Sequence, residues 1–111
     1  VVFMNLSGRL EKAYEHLAEA LRAQPLSGPV LYEAAVVSFR LGRHLSARGF
    51  LERYFEQDNP TPDSLLLAVN NERELGSDSL VKHYAYQLRM SYPDSPQAAE
   101  AKQLISGVQG G

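Results

Sequence analysis

With 111 residues, 44% of them apolar and 22% charged, the chain has the composition of an ordinary globular protein and the length of one compact domain. A net charge of −2 supplies no broad cationic field, which excludes nucleic acid as an expected partner and disfavours anionic membrane surfaces. There is no cysteine, so disulfides, thiolate metal sites, cysteine nucleophiles and cysteine-borne lipids are excluded within this stretch.

Taken in chain order, Val1 to residue 7 reads as the end of a helix that the sequence enters part-way, the mark of a piece of a longer protein or of a matured chain. That run is too short to span a bilayer, which takes roughly 20 apolar residues, and it lacks the cationic flank of a signal peptide. Helices are then predicted at about 8–25, 29–41, 43–57, 62–75 and 78–91, followed by a last helix over 96–105. Pro29, Pro62 and Pro96 stand at the starts of three of them, where a missing N–H has no helical partner to lose. Ser27, Thr61 and Ser95 precede those prolines as candidate N-caps. Residues 106–111 read as a disordered tail, and the short, proline-bounded linker at 58–61 gives no sign of a domain boundary.

Gly8, Gly42 and Gly76 recur every 34 residues, and their surroundings recur with them. Five residues on stand Ala13, Ala47 and Val81, and nine on stand Leu17, Leu51 and Ala85. Pro25, Pro60 and Pro93 then close each unit. A glycine can take the positive φ that turns one helix into the next, a small residue lets paired helices approach, and a proline stops the second helix. This period and pattern resemble the tetratricopeptide repeat. The fold class that follows is all-α, a helix-turn-helix superhelix or α-solenoid, with repeat units at about 1–27, 28–61 and 62–95 in one domain over 1–105. The helix at 96–105 is its capping helix, because Lys102 and Gln103 replace packing residues there.

Catalytic chemistry finds no foothold. His16, His44 and His83 fall one to a repeat without partners at metal-ligand or triad spacing, so neither a metal site nor a catalytic residue is predicted. Glu72 and Glu74 flank Arg73 at a spacing that does not share a helix face, which assigns them to a solvated surface. No phosphate-binding loop, dinucleotide fingerprint or zinc-protease motif occurs, and no cofactor is predicted. The expected product of this sequence is a non-enzymatic module that binds a protein or peptide.

Most aromatic residues, among them Tyr14, Phe50, Tyr54, Tyr84 and Tyr92, are expected to pack between helices. Tyr54 and Leu88 stand where a small residue is expected, which predicts a locally spread stack. Tyr32, Val36 and Phe39 differ, lying at i, i+4 and i+7 on a first helix and offset from the packing stripe of Leu31, Ala34 and Ala35. First helices line the concave face of a tetratricopeptide superhelix. The stripe, with Arg40, is therefore the candidate partner-binding surface, continued on the next first helix by Leu66, Asn70 and Arg73. The competing reading, that neighbouring helices bury the stripe, stays open at this point.

The stretches Ala47–Phe55, Ser64–Val69 and Ser79–Pro93 resemble a particular family, the type IV pilus biogenesis and stability lipoproteins, or tetratricopeptide pilotins, of Gram-negative bacteria. The resemblance implies a periplasmic parent protein held at the outer membrane by a lipid, assisting assembly or localisation of the pilus secretin, with a secretin segment as partner. The family's lipid-bearing cysteine is missing from this stretch, which implies no direct membrane insertion by it. Two other readings stand beside this one: a generic tetratricopeptide scaffold in another complex, and an accessory domain of a larger enzyme.

Overall fold

The computed structural model describes the backbone of residues 2–110 and the side chains of residues 8–105. Val1 and Gly111, which open the expected first helix and end the expected tail, lie outside the described residues. Every element is α-helical: α1 (Val2–Ala23), α2 (Gly28–Arg40), α3 (His44–Gln57), α4 (Pro62–Leu75), α5 (Asp78–Ser91) and α6 (Pro96–Gly110). They form two compact units, Val1–Asn59 with α1 to α3 and Pro60–Gly111 with α4 to α6.

The two inter-helix turns at Gly42 and Gly76 are the same device. Each glycine sits in the left-handed region, at φ 78° and 74°. The following N–H reaches back six residues counting both ends, from Arg43 to the Ser38 carbonyl at 2.8 Å and from Ser77 to the Glu72 carbonyl at 3.0 Å. The glycine N–H closes the inner bond, to Phe39 and to Arg73. This double closure satisfies carbonyls that a helix end otherwise leaves open, and it reverses the chain within two residues.

Gly8 does not share this role. It lies inside α1, which runs without a break from Val2 to Ala23 where the sequence predicts a turn. A glycine permits positive φ without imposing it, and α1 keeps its helical path through this one. The tail is corrected as well, since α6 continues to Gly110 rather than ending near Ile105.

The helix starts follow their caps unevenly. Thr61 and Ser64 form a reciprocal capping box, the Ser64 N–H donating to Thr61 Oγ1 at 3.1 Å and the Thr61 N–H to Ser64 Oγ at 2.8 Å. Ser95 Oγ accepts from the Ala98 N–H at 3.0 Å. Ser27 occupies the N-cap position of α2 but makes no capping bond through its side chain. There α2 begins one residue before the proline, at the buried Gly28, where a Cβ would fall 1.7 Å from Asp58 Oδ2. A side chain at position 28 would displace the Asp58 carboxylate, which is exposed at the end of α3 and free to swing aside.

Unit 1 packs Leu21, Leu31, Ala34 and Tyr54 into a core, with Leu17, Val30, Tyr32, Phe50 and Phe55 against it. Its α1 is also tied down at the edge, where the Arg43 guanidinium meets Glu11 at 2.7 Å and lies 4.5 Å from the centre of the Tyr14 ring. Both ends of that ion pair are more than a third exposed, so its contribution is modest, and the stacking over Tyr14 and the ring contact of Tyr14 with Phe50 add to it. Unit 2 buries Leu65, Ala68 and Val69 of α4 with Val81, Tyr84, Ala85 and Leu88 of α5, and Ala98 and Ala101 of α6. The Tyr92 hydroxyl, at the end of α5, donates to the Pro60 carbonyl ahead of α4, and Gln97 Nε2 of α6 donates to Asp63 at 2.8 Å, so the end of α5 and the start of α6 are both held at the start of α4.

Two measurements test this reading of the glycines and small residues. Gly42→Ala and Gly76→Ala should each lower unfolding free energy by about 1–2 kcal/mol, the cost of a left-handed conformation for an L-residue. Gly8→Ala should raise it by roughly 0.5–1 kcal/mol, because a mid-helix glycine is being replaced and its Cβ would meet nothing within 4 Å. Equal losses in urea denaturation at all three would restore a turn at Gly8. Ala47, fully buried in α3, should tolerate leucine poorly, Ala47→Leu costing about 1–3 kcal/mol by overpacking. An unchanged melting temperature would show that the closest helix approach lies elsewhere.

Candidate functional site

The predicted binding residues fall on two helices in two units, and each set is described within its own. On α2 the helical period brings Tyr32, Val36, Phe39 and Arg40 to one side, away from the buried Leu31, Ala34 and Ala35. Tyr32 is half-buried, its ring 5.8 Å from that of Tyr54 and tilted by 47°. Phe39 is also half-buried, its ring 5.3 Å from the His44 imidazole and edge-on to it. Val36 is half-buried and Arg40 exposed. The two readings of this stripe therefore divide atom by atom: the rings are partly engaged in packing unit 1, and what they leave open adjoins an exposed guanidinium.

On α4, Leu66 and Asn70 are half-buried and Arg73 is exposed, again flanking a buried stripe. This strip is shorter in apolar surface and richer in polar groups. A half-buried carboxamide and an arginine one turn apart can hydrogen-bond a peptide backbone or a carboxylate.

Other predictions are corrected. Glu72 is not on a solvated surface; it is 2% exposed, beside a fully buried Asn71, whereas Glu74 is exposed. The signal was in the sequence, because Leu65, Ala68 and Val69 step at helical spacing directly onto position 72. Glu72 is also the repeat equivalent of Ser38, which is likewise fully buried and whose Oγ has no hydrogen-bond partner among the described residues. Of the histidines, His16 and His83 are exposed and His44 lies against Phe39. Among the described residues no cluster of His, Cys, Asp or Glu is arranged to hold a metal ion. No helix among them is long and apolar enough to cross a membrane.

Comparison with known proteins adds to this geometry. No family model and no curated protein sequence matches the chain. Two solved structures do match in fold. One is PilW, described as a widely conserved type IV pilus biogenesis factor, with a TM-score of 0.78 and 26% identity over 84% of this chain. The other is PilF of Pseudomonas aeruginosa, with a TM-score of 0.74 and 21% identity over 86% of this chain, a likeness of fold alone. In fold, the chain is a tetratricopeptide-type protein resembling PilF and PilW. It spans 43% of the length of each. The PilF and PilW likeness agrees with helix pairs joined by left-handed glycines, and such stacks are built to present surface to other proteins.

The division between packed and open groups has a measurable consequence. Tyr32→Ala should destabilise the chain by about 1–3 kcal/mol because it removes a ring set against Tyr54, whereas Arg40→Ala should stay within about 0.5 kcal/mol. Thermal unfolding followed by far-ultraviolet circular dichroism separates the two, and equal effects would mean that Tyr32 is not seated on the core.

Proposed function

We propose that the chain is the protein-binding part of a type IV pilus assembly factor of pilotin type, which assists the outer-membrane secretin to assemble or to reach its place. The fold likeness to PilW is the observation that carries the proposal. The step from pilus biogenesis to the secretin rests on the resemblance of residues 47–55, 64–69 and 79–93 to the pilotin family. The parent protein would act in the periplasm, held at the outer membrane. Its mode of action is recognition without catalysis, in keeping with side chains suited to packing and hydrogen bonding.

Within this reading the first helix of each pair offers the contact surface: Tyr32, Val36, Phe39 and Arg40 on α2, and Leu66, Asn70 and Arg73 on α4. Arginine and tyrosine contribute disproportionately to protein interfaces, so a few positions should dominate. Arg40 and Arg73 are the positions to change, being exposed and free of the packing that Tyr32 and Phe39 share. The Arg40→Ala, Arg73→Ala double variant should remain folded and lose at least tenfold in affinity for the periplasmic region of a type IV pilus secretin, about 1.4 kcal/mol or more. Calorimetric titration measures it. Unchanged affinity in the variant would move the site elsewhere, and a wild-type chain that ignores the secretin would remove this partner.

A further inference from the structure

The outer face of α5 carries a surface that the reading above leaves unused. Tyr86 and Met90 are 55% and 60% exposed and stand one turn apart. Lys82, one turn before Tyr86, is exposed beside them, and the Arg89 guanidinium lies over the Tyr86 ring at 5.5 Å from its centre. The opposite face of α5 is the one that packs, through Val81, Tyr84, Ala85 and Leu88. Asp78, at the first turn, is the helix's one carboxylate.

The repeat supplies its own control. Counting back 34 residues, the positions of Tyr86 and Met90 fall on Glu52 and Glu56 of α3, both exposed and both charged. The fold is thus content with carboxylates at this place on a second helix, and the tyrosine and methionine of α5 answer to something other than packing. Tyrosine, methionine and arginine are the residues enriched in protein interfaces. An exposed methionine adds a flexible, polarisable surface that adapts to aliphatic side chains.

From this we infer that the outer face of α5 is a docking strip for an acidic amphipathic helix of a protein partner, with aliphatic side chains on Tyr86 and Met90 and carboxylates on Lys82 and Arg89. The mode follows from the surface. The backbone of α5 is hydrogen-bonded within the helix, so no edge is offered to an extended strand and the partner must dock by side chains. Lys82 to Met90 covers about 12 Å of helix, the length of roughly two turns of such a partner. The sign follows from the flanking cations. A lipid surface is the poorer fit, because two cations attract anionic headgroups by only about 1 kcal/mol each while the chain as a whole carries −2.

The test uses the 111-residue chain and a synthetic helical peptide of leucine and glutamate, with leucines at three- and four-residue steps, beside a twin in which lysine replaces glutamate. Fluorescence anisotropy gives affinities and amide chemical shifts locate the contact. The glutamate peptide should bind at least tenfold more tightly than its twin, with shifts centred on residues 82–90 and affinity falling as salt rises. Lys82→Glu with Arg89→Glu should reverse the order of the two peptides, a gain that simple misfolding cannot produce. Tyr86→Ser with Met90→Ser should weaken both. Equal binding of the peptides, shifts centred away from α5, or indifference to the charge reversal would overturn the proposal. So would binding to phosphatidylglycerol vesicles in place of the peptide, or self-association of the chain through this face that excludes it. Arg40 and Arg73 are untouched by these variants, so secretin binding can be measured separately on the same proteins.

Discussion

The left-handed glycine between paired helices is the constraint from which the rest follows. At Gly42 and Gly76 the backbone takes a conformation that L-residues adopt only at a cost, and it does so in order to close the helix end with two hydrogen bonds and reverse direction. Once the reversal is fixed, the helix before and the helix after it lie side by side. The residues facing across that seam are then decided by helical spacing. Leu31, Ala34 and Ala35 before Gly42 meet the side of α3 that carries Ala47, Leu51 and Tyr54. Leu65, Ala68 and Val69 before Gly76 hold the equivalent positions against Val81, Ala85 and Leu88. Packing then stabilises a geometry that the turn has made available, each fully buried leucine contributing about 1.5–3 kcal/mol.

Much of this was legible in the sequence, because period and turn chemistry are local properties. The 34-residue spacing located both true turns, and Thr61 capped as a threonine before proline should. A glycine in phase is not by itself a turn. Gly8 lacks the paired closure that Arg43 and Ser77 complete, and nothing in a glycine itself tells the two situations apart. Glu72 departs from expectation for the opposite reason: its place on a buried stripe outweighs its charge, since buried carboxylates are tolerated when partnered. The neighbourhood of Gly28 could not have been found by pattern at all, since Asp58 is brought beside it only by the fold.

The last helix shows how far a repeat can drift while keeping its start. Pro96 is in phase with Pro62, and Ser95 caps as Thr61 does. Yet α6 buries Ala98 and Ala101, the equivalents of Ser64 and Leu67, and leaves Lys102 and Gln103 exposed where α4 buries Ala68 and Val69. The side of α6 that is buried therefore differs from that of α4, and Gln97 on Asp63 fastens α6 to the start of α4.

The same reasoning separates residues that make the fold from residues free to make contacts. Tyr32 and Phe39 serve the core with part of each ring, so changes there perturb both stability and any surface they share, and sequence pattern alone does not divide the two effects. Arg40, Arg73 and Lys82 carry no such double duty, since each side chain is exposed on a helix whose packing is complete without it. Positions fixed by the period are those the fold needs, namely the turn glycines, the small residues at the seam and the stripe behind them. Where two repeats with the same backbone role carry glutamates in one and tyrosine with methionine in the other, helix geometry alone does not dictate the difference. Specific recognition in a protein of this architecture is therefore to be sought at equivalent exposed positions whose chemistry diverges, because these are the places where packing leaves the choice of residue open.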